Sequence, residues 1–562
     1  MSFICGFTFN DRNLAHKMCD AMKHRGSTPV IREYDGLTVC HTDGVCECGS
    51  AFLEAGKLKL IRDLIGIEPL HYTCTTDGKT LFASEIKALF QYEELKREVN
   101  PQALHYFLNL RYVPGDHTMF ANIYRVRPAH GMVNGEQHPY WQLPRPDEEY
   151  QGDSCPAGLR LMLDRIIQGD KGDIAVQISG GMDSSALVAL LSQFYQNIKT
   201  FTMGFDNATD ELDDARFVAE EFGTDHHEFV LDHGLLQDYP VMTWYADEPK
   251  RNLFPYYLAQ YICNNGVTQV YDGSGGDELF GGYVFKYAFV KRIEEMRTRV
   301  LRERGDRTSQ MATKLAAFQS HSGALEDDAH LDYLDTLTNL YSNVKLYMVV
   351  QTLDHVFFNP AYLERLYGSQ MLRSVLHPVW SEHSRFFDND RPFIEQVMEA
   401  DFSEKMVNDF LLVGDRMYAA NGVSVRMPFL DTPVVAFMFK IPTAYKLQDP
   451  NGKYVLKQAM ADKLPPRILK KEKHGFASST YGTYLSELRE LARMYLPDGC
   501  AVRDGWLNRE YIAKVLSSLP NPRLDLHYNV LWNMFAFEVW YRLFIEGDGT
   551  KPNGDIYGGG LL

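Results

Sequence analysis

The sequence predicts an α/β protein with a β-rich N-terminal unit, a parallel-sheet domain after it, and a helical C-terminal part. Two observations lead to this prediction. Residues 1–150 contain short strand-like segments separated by turn residues, a pattern typical of small β-rich units. From residue 156 onward, strand-like and helix-like segments alternate, which indicates a parallel sheet with crossover helices. We place the domains at 1–150 and 156–545, followed by a flexible glycine-rich tail at 546–562.

The length of the chain fits a globular protein of two or more domains, since 562 residues can bury an ample core. The net charge of −17 argues against a general nucleic-acid binder. No apolar run approaches the roughly 18 residues of a membrane span. The nine cysteines are an odd number after a start without signal character, so we expect reduced thiols and a cytoplasmic location. Cys40, Cys46 and Cys48 are close in sequence, but their spacing matches no zinc pattern.

The N-terminal elements follow from strand, cap and turn patterns. The strand candidates are 3–8, 37–41, 58–62 and 80–83. Asn100 and Pro101 predict the start of a helix, because an Asn cap followed by proline is favoured there. The polar segment 144–155 contains two prolines and a glycine, which favours a linker.

The second half supplies the alternating elements. The strand candidates are 174–179, 200–205, 227–230 and 268–271, and the helix candidates between them are 184–195, 212–222 and 254–264. In such a sheet, the loop after the first strand is a ligand site by topology. Residues 291–331 are charged and then polar, which predicts an exposed, partly mobile insert before a mainly helical remainder.

A glycine-containing loop follows the first of these strands and begins a helix. Ser179, Gly180 and Gly181 form the loop, and Asp183 and Ser184 lie in the first helical turn. Glycines let the main chain approach a bound anion, and a helix start directs free N–H groups towards it. Unlike a Walker loop, the segment has no Lys-Ser/Thr pair after the glycines. The pattern favours a pyrophosphate-binding loop over an ordinary glycine-rich turn.

A second acidic, glycine-rich segment, residues 271–283, follows the last predicted strand. Because carboxyl ends of parallel strands meet at one sheet edge, Asp183 and Asp277 are predicted to lie close enough to share Mg²⁺. The alternative is two solvated turns. Late in the chain, Lys453 begins a helix and can meet a polyphosphate. Adjacent His226 and His227 would face opposite sides of a strand, which favours structural roles over metal binding.

Together these segments resemble the asparagine synthetase family over nearly the whole chain. The matching segments in the second half are 179–184, 204–205, 225–228, 273–283, 426–431, 452–454 and 471–476, and those in the first half are 5–6, 24–26, 62–70, 83–89 and 112–115. The resemblance implies a shortened glutaminase-like domain of the N-terminal-nucleophile fold. It also implies an ATP pyrophosphatase domain of the adenine-nucleotide α-hydrolase type.

The resemblance also implies a two-step ligation with ATP and Mg²⁺. A small-molecule carboxylate attacks the α-phosphorus of ATP, pyrophosphate leaves, and ammonia or an amine then displaces AMP to form an amide. Asp183 and Asp277 would hold the metal, and the catalytic residues would be Lys453, Asp277 and Glu278. The nucleotide-binding residues would be Ile178, Ser179, Gly180, Gly181, Asp183, Ser184, Met203, Asp272 and Gly273. We expect no nucleic-acid or membrane partner. The sequence leaves open whether the chain forms a homodimer.

Two departures from the family pattern shape the functional prediction. Cys5 follows four residues instead of the initiator Met alone, and the oxyanion-donor segment has no counterpart between His24 and Arg62. Losing such donors costs roughly 3 kcal/mol or more of transition-state stabilisation, so we predict that glutamine is not hydrolysed and that Cys5 is a buried small hydrophobe. In the synthetase half, Ser274 and Ser424 stand where acidic residues are usual, which weakens the case for aspartate and ammonia as substrates.

The leading prediction is an AMP-forming amide ligase that uses free ammonia or a substrate amine. One alternative is a glutamine-hydrolysing asparagine synthetase. Another is intramolecular amide closure, as in β-lactam synthetases and lasso-peptide cyclases. The last alternative is a non-catalytic paralogue that binds nucleotide. The presence of Asp183, Asp277 and Lys453 argues against it.

Overall fold

The computed structural model of the chain describes residues 2–26, 28–34, 36–42, 50–54, 57–169, 174–205, 209–231, 234, 236–302, 342–352, 360–471, 487–518, 525–547, 549 and 552. Several predictions fall outside these residues. They concern positions 303–331 of the insert, most of the tail at 546–562, the segment 472–476, and Cys46 with Cys48.

The N-terminal part consists of two antiparallel sheets. Its strands are β1 (Ile4–Phe7), β2 (Pro29–Tyr34), β3 (Leu37–Thr42), β4 (Ser50–Glu54), β5 (Lys57–Ile61), β6 (His71–Cys74), β7 (Thr80–Ala83), β8 (Tyr124–Arg125), β9 (His130–Val133) and β10 (Glu136–Pro139). One sheet has the order β2-β3-β1-β7-β6-β8 and the other β10-β9-β5-β4. Alternate residues of both sheets, such as Ile4, Leu60 and Phe82, share a buried apolar cluster.

A five-stranded parallel sheet forms the centre of the second half. Its strands are β11 (Ala175–Gln177), β12 (Lys199–Phe205), β13 (Asp225–Leu231), β14 (Gln269–Tyr271) and β15 (Ser424–Arg426). Their order is β13-β12-β11-β14-β15, and every pair is parallel. The predicted fold class, with a β-rich N-terminal region and a parallel sheet after it, is confirmed.

Helices make up most of the described chain outside the three sheets. The α-helices are Arg12–Ala21, Ile86–Leu89, Pro101–Leu110, Ser154–Gln168, Met182–Leu191, Thr209–Phe222, Tyr239–Ala246, Pro255–Asn264, Gly276–Phe280, Val284–Arg302, Asn343–Thr352, Pro360–Leu366, Ser369–Ser374, Ser384–Phe387, Phe393–Ala400, Leu412–Ala420, Thr432–Lys440, Thr443–Lys446, Tyr454–Ala459, Pro466–Leu469, Cys500–Arg503, Arg509–Ser518 and Asp525–Tyr541. Two π-helices span Asp401–Leu411 and Arg542–Glu546. None of the described helices has the length and apolar character needed to cross a membrane.

Local signals explain where several helices begin. The Asn100 side chain accepts hydrogen bonds from the amides of Gln102 and Ala103, at 3.1 and 3.2 Å, so the predicted cap is confirmed. The helix Met182–Leu191 is buried along nearly its whole length. Both faces of a parallel sheet are covered, so a helix packed on it and under further helices has little exposed surface.

Buried ion pairs connect the N-terminal sheets to the helical part. The Arg25 guanidinium donates to Asp415, at 2.8 and 2.5 Å, and to Glu85, at 3.0 Å. Arg416 lies 3.1 Å from the same Glu85 carboxylate. Arg25, Glu85 and Arg416 have side-chain exposures of 1%, 0% and 1%. Charges this deeply buried are stable only when paired, so the two parts depend on each other at this interface.

Candidate active site

The two glycine-rich loops predicted to form the site lie side by side. β11 pairs with β14, with Val176 opposite Tyr271, so the loops after these strands leave the same edge of the sheet. The strand order also reverses here, because β12 and β13 lie on one side of β11, and β14 and β15 on the other. Open parallel sheets bind their ligands at such switch points.

Glycines allow the two loops to approach each other. A Cβ at Gly276 would lie 2.5 Å from the Cγ of Asp183, and one at Gly273 would lie 3.0 Å from the Asp183 Cβ. Gly180 has φ +62°, and a side chain there would overlap Asp214. Only residues without a side chain fit these three positions without displacing a neighbour.

Lys453 joins the two loops. Its Nζ donates to Asp183 Oδ2 at 2.5 Å and lies 2.6 Å from Asp277 Oδ1. Burial alone would lower the pKa of this ammonium, but the charges of Asp183 and Asp277 outweigh that effect and raise the pKa above its ordinary value. The lysine is therefore a permanent cation between two carboxylates.

The backbone around Lys453 explains how it reaches this position. Lys453 has φ +58° and precedes the helix Tyr454–Ala459. Gly452 has φ +70° and lies so close to the carbonyl of Gly281 that a side chain would overlap it. Two consecutive residues in the left-handed region make the tight turn that directs the lysine into the site.

The donor set fits Mg²⁺ and a phosphate chain. The Asp183 and Asp277 carboxylates already converge on one cation, and Mg²⁺ prefers few carboxylates together with phosphate oxygens. The helix Met182–Leu191 begins at Gly181, and among the described residues no side chain caps its first turn. Free N–H groups at a helix start are suited to binding an anion.

The two serines of the first loop form bonds within the loop. The Ser184 hydroxyl accepts from the amide of Ser179 at 3.2 Å and donates to the carbonyl of Gly181 at 3.3 Å. Ile178 follows β11 directly, and its amide donates to the carbonyl of Phe201 at 2.8 Å. Met203 lies in β12, on the side of β11 away from β14. Ile178 thus leads into the loop that carries Asp183, whereas Met203 lies one strand away from the acidic pair.

Two further carboxyl groups lie in the second loop. Glu278 is 5% exposed and accepts from the Tyr283 hydroxyl at 2.6 Å. Burial, assisted by the charge of Asp277, raises the pKa of Glu278 to about 7. Asp272 accepts from the amide of Ser274 at 2.6 Å and from its hydroxyl, and burial raises the pKa of Asp272. Glu278 is therefore able to exchange a proton near neutral pH.

The sequence did not reveal the role of Asp214. The Asp214 carboxylate pairs with Lys471 and Arg467, each at 2.5 Å. Lys471 also donates to the carbonyl of Gly180 at 3.3 Å. Lys471 belongs to the segment 471–476 that resembles the family, but its contact with this loop was not predicted from the sequence.

Cys5 is fully buried, as predicted. It lies within β1, paired with Cys40 of β3 and Ala83 of β7. Burial raises the pKa of the Cys5 thiol well above its ordinary value, which disfavours the nucleophilic thiolate. Among the described residues, His226 and His227 belong to no metal-ligand cluster. His227 lies 3.1 Å from Asp225.

Comparison with known proteins places this site in a family. A model described as asparagine synthase matches residues 169–542. A second, described as glutamine amidotransferase domain, matches residues 52–141. Residues 169–542 are more than half of the chain and include both loops and Lys453.

Individual relatives cover most of the chain at low identity. The glutamine-hydrolyzing asparagine synthetase 1 of Bacillus subtilis (strain 168) is 25% identical over 502 residues, which are 86% of this chain and 75% of that protein. A putative glutamine-hydrolyzing asparagine synthetase of Mycobacterium bovis is 26% identical over 87% of this chain and 75% of its own length. The amidase chry2 of Gibberella zeae is 26% identical over 70% of this chain and 62% of its own length. The chain belongs to the asparagine synthase family and is an ATP-dependent carbon–nitrogen ligase.

Proposed function

We propose that the protein converts a small-molecule carboxylate into its acyl-adenylate and passes the acyl group to ammonia or an amine, releasing pyrophosphate and AMP. The observation that supports this most strongly is the ion triad of Asp183, Lys453 and Asp277, with both N–O distances at or below 2.6 Å. It stands at the sheet edge where two glycine-rich loops meet. A fixed cation and two carboxylates at one point suit a leaving group that accumulates negative charge.

In the first step, Asp183, Asp277 and Lys453 have different roles. Mg²⁺ held by Asp183 and Asp277 would neutralise the negative charge on the leaving pyrophosphate. Lys453 remains protonated, because the surrounding carboxylates raise its pKa, and its ammonium is held in place before substrate binds. The uncapped first turn of Met182–Leu191 directs main-chain N–H groups at the same phosphates.

In the second step, Glu278 is the group we assign to proton removal from the attacking amine. Its pKa of about 7 allows it to accept a proton at neutral pH, whereas an ordinary surface carboxylate is too weak a base. The hydrogen bond from Tyr283 fixes its orientation. Asp272, half-buried and bonded to Ser274, is the alternative base in the same loop.

Glutamine-hydrolysing asparagine synthesis is the second candidate function. The match to the glutamine amidotransferase domain and the names of the relatives favour it. The position of Cys5 within β1 argues against it, because the thiol is buried and the residue is hydrogen-bonded into the sheet on both sides. Glutamate release from glutamine that disappears in Cys5→Ala would favour this second function over ours.

The test is exchange of radiolabelled pyrophosphate into ATP, after screening amino acids and then other small acids for pyrophosphate release. We expect exchange to require one acid and Mg²⁺ and to be abolished by Asp183→Asn. Asp213→Asn is the matched control, since Asp213 is largely exposed and pairs with Arg216. Exchange that persists unchanged in Asp183→Asn would mean that the acidic pair has no role in ATP cleavage.

A further inference from the structure

Three cysteines meet in the N-terminal sheets, away from the ligase site. Cys5 and Cys40 are directly opposite one another on the neighbouring antiparallel strands β1 and β3. Cys19 approaches from the helix Arg12–Ala21, which packs on this sheet. The three Sγ atoms all lie within 4.8 Å of one another, and the exposures of the residues are 0%, 4% and 0%.

The surroundings of this trio are apolar. The same buried cluster contains Phe3, Phe7, Met18, Met22, Leu81 and Ala83. A converging set of three sulfurs, delivered by two strands and one helix, is more than a single buried cysteine used as a small hydrophobe requires.

The separation of the sulfurs fits a three-coordinate metal. Metal–sulfur bonds of about 2.3 Å in a trigonal arrangement place the sulfurs about 4 Å apart. The three Sγ atoms therefore need to move by less than about 1 Å to reach bonding positions. Soft sulfur ligands select soft ions such as Cu(I), whereas structural Zn²⁺ sites use four ligands. The described residues contribute three donors here.

We propose that Cys5, Cys19 and Cys40 form a binding site for one soft monovalent metal ion, with Cu(I) as its representative. Softness of the sulfur ligands selects such an ion. Cysteine binds a metal as the thiolate, so each thiol that coordinates the ion releases its proton to solvent. No electron is transferred.

The bound ion would connect the helix Arg12–Ala21 to β1 and β3. Because the unfolded chain lacks this arrangement, binding to the folded state raises the unfolding temperature. The site has no open route from solvent in the described residues around it, since each cysteine is at most 4% exposed. Loading is therefore expected during folding or through local opening, and to be slower than loading of an exposed thiol.

The experiment uses the full-length protein, reduced and under argon, with Cu(I) delivered from a coloured Cu(I) chelator. The six other cysteines are replaced by alanine, so that exposed thiols such as Cys74 and Cys263 do not compete. We expect one equivalent of Cu(I) per chain after refolding in its presence. Cys19→Ala and Cys40→Ala, each added to this background, are expected to lower the affinity at least tenfold.

Circular dichroism of each variant checks that it folds, and the pyrophosphate exchange assay checks that the ligase site is intact. X-ray absorption of the loaded protein is expected to show three sulfur neighbours. Undiminished Cu(I) affinity in a folded Cys19→Ala variant, or a copper neighbour shell of nitrogen and oxygen, would overturn the proposal. Failure of the ligase assay alone would bear on the proposed function and leave the metal result unaffected.

Discussion

Replacing Lys453 by methionine tests the ion triad most severely. The substitution keeps the length and apolar stem of the side chain but removes the charge held at 2.5 Å from Asp183 and 2.6 Å from Asp277. Two carboxylates with side-chain exposures of only 16% and 15% then lose the cation that lies between them. Like charges at this separation resist ionising together.

The expected effects differ for activity and stability. Loss of one preorganised charge at a leaving group lowers kcat by roughly 10²–10³, or about 2.7–4 kcal/mol. Removing one partner of a buried ion pair costs about 3–5 kcal/mol of unfolding free energy, and the partial exposure of both aspartates places this case at the lower limit. Mg²⁺ is expected to restore part of that stability without nucleotide, because the acidic pair is then open to a second cation.

The assay is pyrophosphate exchange at saturating ATP and acid, combined with thermal unfolding at zero and millimolar Mg²⁺. Lys457→Met is the matched control, since Lys457 lies one turn further along the same helix and pairs with Asp449 at 3.0 Å. We expect the control to lose stability but to retain exchange. Exchange within twofold of wild type in Lys453→Met would refute the role assigned to the triad.

The remaining predictions address the loops, the second step and the interface. Gly276→Ala should reduce exchange at least tenfold while the protein stays folded, because the new methyl displaces Asp183, whereas Gly414→Ala, with open space around it, should not. The folded-state pKa of Glu278, about 7, exceeds its ordinary value, so the rate of amide formation should rise with pH through about 7, and Glu278→Gln should abolish this rise. The stability that protonated Glu278 contributes is present at low pH and is lost as the pH rises towards 7. Unfolding midpoints of Glu278→Gln measured over the same pH range should lack this loss of stability. Arg25→Met should cost about 3 kcal/mol in urea unfolding, because it removes one cation from the buried network around Asp415 and Glu85, against at most about 1 kcal/mol for Lys17→Met at an exposed pair. Equal effects of the two substitutions would argue against a buried interface network.

Sequence patterns predicted elements well where the signal was local. The strand predicted at 80–83 is β7 itself, and the one at 200–205 differs from β12 by a single residue. β15 (Ser424–Arg426) was not predicted, because its three residues join the sheet from a point more than 150 positions after β14. A strand that short has no periodicity to detect, and its pairing is fixed only by tertiary packing.

The same distinction applies to the site. The convergence of Asp183 and Asp277 followed from one rule, that parallel strands end at a common edge. Lys453 was identified as a phosphate ligand, but its bridging position depends on a left-handed turn that no local pattern specifies. The contact of Asp214 with Lys471 joins residues from two segments that are distant in sequence, and only the folded chain brings these together.

The most direct measurement is a crystal structure with ATP and Mn²⁺ in place of Mg²⁺, in which anomalous scattering locates the metal. We predict one strong anomalous peak within coordination distance of both the Asp183 and Asp277 carboxylates, with the triphosphate against the loop of Gly180 and Gly181 and within reach of Lys453. A nucleotide bound elsewhere, or a metal that contacts neither aspartate, would contradict the central claim that these two loops form a single centre for ATP cleavage.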